Sequence, residues 1–467
     1  MSFARILRSS AIMGGAQVIV LASGFIRAKA IALILGASGV GLIGIFSAFS
    51  GNLSAVAGLG LGTSGVRLIT GAEEHEKSSK AAAVHRMGWM LGTLGLILGL
   101  LAFWPTAQVT FNSSQYAAEM GIVAFAVPCL IASSAWSAVL QASGKIDSLA
   151  KVQIAGALSG LLLSLPAIYL WGTMGIALSI FLAAAVPAIA LWYAARSEYP
   201  SRAVASVHAG DLRQLVKLGG ALMVVGWLGQ LSAYLVRLAI IRQDGLEAAG
   251  YYQAAFAISG SLPGFVFAAM GADFFPRISG TKTMAEAQDQ LEKQIQAGIL
   301  LGVPLIAVLL TLGHQCLSLL YTDSFNAALP LLGWMTWGVF LKLISWPMGF
   351  WLIAKTTPKH VLVIESVGNG MAILLPLAMM PAYGLKGVAL GFFWASLAYL
   401  VMLIGVYRRY SGHWLGRGAI IWATIAAAGL FLADLWAAGQ TNICLIAAPA
   451  LSLGVFSAWK YRQLLKT

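Results

Sequence analysis

Apolar runs long enough to cross a lipid bilayer follow one another along almost the whole of this chain. The hydrocarbon layer is about 30 Å thick, and a helix rising about 1.5 Å per residue crosses it with about 20 mostly apolar residues. Backbone polar groups in hydrocarbon must be satisfied internally, so a succession of such runs restricts the fold to packed membrane helices. Composition agrees. Of 467 residues, 59% are hydrophobic and 10% charged, against roughly 45 to 50% and 25% in soluble domains. Runs bounded by charges, prolines or polar clusters begin near residues 10, 38, 83, 117, 149, 174, 213, 247, 293, 326, 360, 384, 417 and 441. They predict an all-α polytopic membrane protein of about 14 transmembrane helices. The first run is about 25 residues long and has no obvious small-residue cleavage site, so it reads as a membrane helix rather than a signal peptide.

The formal net charge of +13 is explained by topology rather than by nucleic acid. Cytoplasmic loops of membrane proteins are enriched in Lys and Arg. With the N-terminus inside, 22 of the 29 cations fall in cytoplasmic segments, from Arg5 and Arg8 through Arg408 and Arg409 to Lys460, Arg462 and Lys466. The outer loops receive only Arg242 and Lys386. Both termini are therefore expected in the cytoplasm, with an even number of crossings. The gaps at Trp171–Thr173 and Gly439–Thr441 leave room only for tight turns between antiparallel neighbours.

An offset of 209 residues lays residues 36–71 over residues 245–280 without a gap, with nine identities that include Gly36/Gly245, Gly41/Gly250, Gly62/Gly271 and Gly71/Gly280. Six helices separate the copies. An even number preserves orientation, so the repeats are parallel, an arrangement in which a substrate site lies between lobes. The expected organisation is an N-terminal six-helix lobe (1–205), a C-terminal six-helix lobe (206–412), and a further helix pair with a cytoplasmic tail (413–467).

Five cations remain within or near helices: Arg27, Lys29, Arg67, Arg237 and Lys342. A charge at the bilayer centre costs about 3 kcal/mol or more, so such residues face water or a partner and mark function. Snorkelling to a headgroup is the structural alternative for those near helix ends. Three acids, Asp273, Glu365 and Asp434, lie in or near the same runs and offer charge pairing or ion coupling. Asp273 is four residues before Arg277, a spacing that permits a salt bridge on one helix face. Positive charge is in excess, which suits an anionic substrate such as a phosphate or diphosphate.

Other motifs carry less. Gly39–Gly44 and Gly60–Gly65 spell G-x-G-x-x-G, but neither follows a strand, and small residues in membrane helices serve close packing or bending. The six histidines and the three cysteines, Cys129, Cys316 and Cys444, show no metal-ligand spacing. No metal site and no catalytic residue is expected.

Four segments resemble the Wzx-type polysaccharide and O-antigen flippases of the multidrug/oligosaccharidyl-lipid/polysaccharide exporter superfamily, especially those for enterobacterial common antigen lipid. They are residues 29–41 (KAIALILGASGVG), 57–66 (AGLGLGTSGV), 274–280 (FFPRISG) and 319–355 (LLYTDSF through FLKLISWPMGFWLIAK). The last is the most specific, with Lys342 and Lys355 at the family's lysine positions. The resemblance covers roughly the first 410 residues. It implies a non-enzymatic inner-membrane protein that moves an undecaprenyl-diphosphate-linked oligosaccharide from the cytoplasmic to the periplasmic leaflet by alternating access. It implies no cofactor, coupling to an H+ or Na+ gradient, and a polysaccharide polymerase and chain-length regulator as partners. Arg27, Lys29, Arg67, Arg237 and Lys342 would then meet the diphosphate, and Gly58, Gly60, Gly62, Pro263 and Pro276 would let gating helices bend. The chain departs from the twelve-helix pattern by the pair after Arg417, a feature of the related lipid II flippases. A multidrug exporter of the same fold calls for acidic residues in its first helices, where this chain has none before Glu73. A membrane glycosyltransferase or polymerase calls for a large catalytic loop, whereas the longest loop here, about residues 195–212, has only Glu198 and Asp211 as acids.

Overall fold

The computed structural model describes residues 3–196, 209–438 and 442–464. Among them all regular structure is helical: α1 (Phe3–Ala57), α2 (Leu61–Thr70), α3 (Lys77–Phe111), α4 (Ala117–Ala124), α5 (Ala126–Ala142), α6 (Ile146–Ala195), α7 (Ala209–Gly280), α8 (Met284–Thr311), α9 (Gly313–Leu320), a 3-10 turn at Asp323–Ala328, α10 (Leu329–Lys355), α11 (Pro358–Ser411), α12 (Arg417–Ala438) and α13 (Ile443–Leu464). Nine stretches of the described residues are long and apolar enough to cross a membrane. Their outward surfaces suit lipid. Leu101, Leu162 and Val455 expose 71%, 70% and 71% of their surface, as side chains facing hydrocarbon are free to do.

Four of these helical stretches are too long for one crossing. The shortest of them, α6, has 50 residues and would reach roughly 75 Å if straight. Each contains one glycine outside the helical region: Gly36 (φ 66°, ψ −160°), Gly172 (φ 54°, ψ −121°), Gly245 (φ 85°, ψ 178°) and Gly384 (φ 58°, ψ −146°). A Cβ disfavours that backbone, so glycine is where these long helices can turn. In α6 the turn is a full reversal. A Cβ on Gly175 would stand 2.1 Å from the Ala167 carbonyl oxygen, and one on Gly156 2.6 Å from Pro187 Cγ. In a straight helix residues 167 and 175 would be about 12 Å apart, so the two halves of α6 are an antiparallel hairpin about Gly172, at the tight turn read between Trp171 and Thr173. Glu119 of α4 accepts a hydrogen bond from Thr173 Oγ1 at 3.0 Å and ties down this turn. In α11, Gly387 meets the Met379 carbonyl and Gly368 meets the Tyr399 ring in the same manner about Gly384. The turn expected at Gly439–Thr441 lies outside the described residues.

The chain forms two compact units, Met1–Gly250 and Tyr251–Thr467. In the first, α1 lies along α6, while α5 packs on α3 and α6 and carries α2. Met87, Trp136, Val139, Leu140 and Leu149 form part of its apolar centre. Gly36 and Gly245, which begin the two copies of the repeat, share one unusual backbone state. Five residues further on, Gly41 and Gly250 approach the other copy reciprocally. A Cβ on Gly41 would lie 2.4 Å from the Leu246 carbonyl oxygen, and one on Gly250 1.9 Å from that of Ala37. The two glycines matched in sequence thus each make a close backbone approach, Gly41 to Leu246 and Gly250 to Ala37. The Gly-rich segment 58–60 interrupts the span between α1 and α2 with two consecutive left-handed residues, Leu59 (φ 48°) and Gly60 (φ 64°). Gly62 and Gly65 beyond it pack against Ser134 and against Val84 and Ala138, the packing and bending role expected of the G-x-G-x-x-G pattern.

In the second unit α8 is the central element, begun by a capping box between Thr283 and Glu286 and contacted by α10, α12 and α13. Gly302 admits the Leu343 side chain of α10, and Gly454 of α13 faces Pro304 at van der Waals distance. The C-terminal helix pair is therefore packed into the unit, with Ala419, Ala426, Leu430 and Ala450 in its apolar core.

Candidate functional site

The charged and polar groups that the fold holds inside its apolar spans are the candidates for function, because each must be offset by a partner or by water. In the first unit α1 carries Arg27, half-buried nine residues before the turn at Gly36, beside a cavity of about 420 Å³ formed by α1 and both arms of the α6 hairpin. Gln17, Ser23, Gly24 and Gln153 also line it. Lys29, two residues on and so pointing away from the Arg27 side of the helix, is also half-buried. A second cavity, about 480 Å³, opens at the break between α1 and α2 and is lined by Ser54, Gly58, Gly60, Ser134, Trp227 and Gln230, among others. Arg67 is exposed on the last turn of α2.

Arg237 is the most buried of the five cations, with 6% of its surface exposed, and it donates from Nη1 to the Ala233 carbonyl at 2.8 Å. The span around it is docked on the rest of the first unit by polar contacts. Asn52 Nδ2 donates to the Gln230 carbonyl at 3.1 Å, Tyr234 and Thr110 share a hydroxyl–hydroxyl bond of 2.9 Å, and Arg242 Nε donates to the Val109 carbonyl at 2.7 Å. In the second unit Lys342 is exposed near the middle of α10, with Nζ 4.5 Å from the centre of the Phe392 ring, a cation–π contact. Among the described residues neither Arg27 nor Lys342 has a carboxylate partner.

The acids are placed differently from the cations. Glu365 of α11 accepts a 2.7 Å hydrogen bond from Tyr399 Oη across the hairpin, and Asn369 Nδ2 donates to the Glu365 carbonyl at 2.8 Å. Asp434 is half-buried on α12. The Asp273 side chain lies outside the described residues, and Arg277, four residues on, donates to Gln290 Oε1 at 2.8 Å and Gln294 Oε1 at 2.9 Å on α8. The structure therefore brings Arg27 together with amides and Glu365 together with a tyrosine. Gln17, Gln153 and Tyr399 were missed by sequence reasoning, which followed formal charge. Amides inside apolar runs were the available signal.

This is the architecture of an all-helical, multi-pass membrane protein, with two cavities within its first unit that include polar side chains. Solved structures share it. A lipid II flippase MurJ in an inward closed conformation superposes with a TM-score of 0.77 at 14% identity, covering 97% of this chain and 100% of that one. An outward-facing multidrug resistance MATE family transporter of the MOP superfamily gives 0.63 at 14% identity, covering 91% and 96%. Among curated proteins, the lipid III flippase of Escherichia coli (strain K12) is 21% identical over 396 residues, 83% of this chain and 94% of that protein. The same figures hold for the lipid III flippase of Shigella flexneri. The model of the polysaccharide biosynthesis protein family matches residues 6–282, more than half of the chain, and the chain belongs to that family.

Proposed function

We propose that this protein is a flippase that carries an undecaprenyl-diphosphate-linked oligosaccharide from the cytoplasmic to the periplasmic leaflet of the bacterial inner membrane, for synthesis of O-antigen or another surface polysaccharide. Family membership and the likeness to two kinds of lipid flippase support the class. The observation that carries the reading is Arg27: a half-buried cation of an apolar helix, without a carboxylate partner among the described residues, at the edge of a cavity to which Gln17, Gln153 and Ser23 bring two amides and a hydroxyl. A guanidinium binds phosphate oxygens two at a time, and an uncompensated cation in a low dielectric attracts an anion strongly. In this reading Arg27, Lys29, Arg67, Arg237 and Lys342 serve the diphosphate at successive stages of an alternating-access cycle, while the prenyl chain stays in lipid. Both termini would be cytoplasmic, and a polymerase and chain-length regulator would receive the product.

The MATE-like fold favours a rival, a multidrug or cation antiporter. Its substrates would need acids in the first spans, and this chain has none before Glu73. A lipid II flippase is the nearer rival, favoured by the α12–α13 pair and by near-complete coverage of MurJ. Vesicles reconstituted with the protein and undecaprenyl-diphosphate-linked oligosaccharide decide the class. The expected result is protein-dependent loss of the glycan from lectin access on one side, unaffected by lipophilic cations. Equal rates with and without protein would remove the proposal.

Energy coupling rests on Glu365, whose carboxylate is held by Tyr399 inside a hairpin of two spans. A carboxylate there can take up and release one proton or bind one Na+ per cycle. Glu365→Gln keeps the shape and the tyrosine bond but not the charge. It should still equilibrate lipid between leaflets while losing at least most of the acceleration produced by an imposed H+ or Na+ gradient. Full gradient response in that variant would move the coupling site elsewhere.

A further inference from the structure

The cavity between α1 and the α6 hairpin has a chemistry that the diphosphate alone does not explain. Its lining runs from Gln17 to Arg27 on α1, ten residues or about 15 Å of helix, so it is a slot rather than a round pit. Arg27 stands at one end as the only charged side chain that lines it among the described residues. The other polar groups are different in kind. Gln153 Oε1 is buried and has no hydrogen-bond partner, and the Ser23 hydroxyl gives its proton to the Ile19 carbonyl at 2.9 Å, leaving oxygen lone pairs. Both want a donor. A diphosphate near neutral pH offers acceptors, so it would satisfy Arg27 and leave these oxygens unmet.

We infer that this slot is a saccharide subsite, which takes the pyranose ring attached to the diphosphate and reads its hydroxyl or acetamido N–H groups with Gln153, Ser23 and Gln17 while Arg27 holds the adjoining phosphate. The inference rests on the flippase reading above. A sugar phosphate presents donors and anionic acceptors side by side, the order in which the slot presents acceptors and a cation. Size agrees. About 420 Å³ is in the range of small-molecule pockets and equals about fourteen waters at about 30 Å³ each, enough for one ring with some solvent. Gly24 gives the ring room. A Cβ there would meet nothing within 4 Å, so the helix face is bare on the slot side without being needed for helix packing. Gly156 and Gly160 differ, since they let α6 close on Pro187 and Ala183.

That bare position supplies the test. Gly24→Leu puts a bulky side chain into the slot from a position whose Cβ meets nothing within 4 Å, and Gln153→Leu removes the orphaned acceptor at similar volume. Purified full-length protein in detergent is titrated, by tryptophan fluorescence, with undecaprenyl diphosphate and with its derivatives carrying one glucose, galactose or N-acetylglucosamine. The parent should bind at least one sugar-bearing lipid tenfold or more tighter than the bare diphosphate, since a site built for a hydroxyl discriminates against its absence. Gly24→Leu and Gln153→Leu should bring that ratio to within about twofold of unity, with affinity for the bare diphosphate and the thermal midpoint of the apoprotein little changed. Gly24→Ala should keep the preference. Equal binding of bare and sugar-bearing lipids by the parent, or a preference that survives both leucine variants, overturns the subsite and leaves the flippase reading standing. Failure of the parent to bind any of these lipids overturns both.

Discussion

Gly250→Ala should lower the thermal midpoint of the purified protein by several degrees and reduce its level in the membrane. A Cβ at this position would stand 1.9 Å from the Ala37 carbonyl oxygen and 2.6 Å from its carbon. Both are backbone atoms, so no rotamer can relieve the overlap, and the turn after Gly245 must move away from α1. Overpacking of this kind costs about 1 to 3 kcal/mol or more. Gly41→Ala, 2.4 Å from the Leu246 carbonyl oxygen, should behave alike because it makes the reciprocal contact. Helical glycines with open space around them give the control: Gly370→Ala and Gly405→Ala meet nothing within 4 Å and should gain about 0.5 to 1 kcal/mol from helix propensity. A midpoint for Gly250→Ala equal to the parent's would show that the contact is slack and would remove the steric argument.

Arg27→Ala should reduce lipid flipping about 10- to 100-fold at matched protein levels. A charge-assisted hydrogen bond contributes about 1.5 to 3 kcal/mol, and each 1.4 kcal/mol is tenfold. Arg27→Lys should fall between, since an ammonium keeps the charge but not the two-pronged geometry. Lys342→Gln should cost about tenfold for the same reason on α10, where Nζ lies over the face of Phe392 and has no carboxylate partner among the described residues. Arg67→Ala should cost least, because its side chain is exposed at the end of α2, where water and salt screen its charge. The readouts are surface polysaccharide in cells lacking the parent protein and lectin access in reconstituted vesicles. Normal values for both Arg27→Ala and Lys342→Gln would remove the cations from substrate handling.

Much of the architecture was legible because a bilayer imposes length and polarity on each crossing independently of its neighbours. Runs such as those starting near 149 and 174 could be separated at Trp171–Thr173, and the hairpin about Gly172 follows. The correspondence of Gly36 and Gly245 was legible too, because both take the same rare backbone, and only glycine adopts it cheaply. The candidate site was legible in part. Formal charge marks Arg27 and Lys342 in one dimension, since any uncompensated cation stands out against apolar sequence.

An all-helical membrane protein, with excess positive charge within its spans and no acid in its first two helices, could be read from the order of residues alone. Only the tertiary structure decided which polar groups share a chamber. Gln17 and Gln153 are 136 positions apart, and Tyr399 is 34 from Glu365. No periodicity links such pairs, because a hydrogen bond or a cavity depends on how helices cross and reverse, and that is set by close glycine contacts distributed over the whole chain. The depth of a charge was decided there as well. Arg67 and Arg237 look alike as letters in apolar surroundings, yet one reaches the surface and the other is buried against its own helix, because burial is a property of neighbouring helices rather than of a residue.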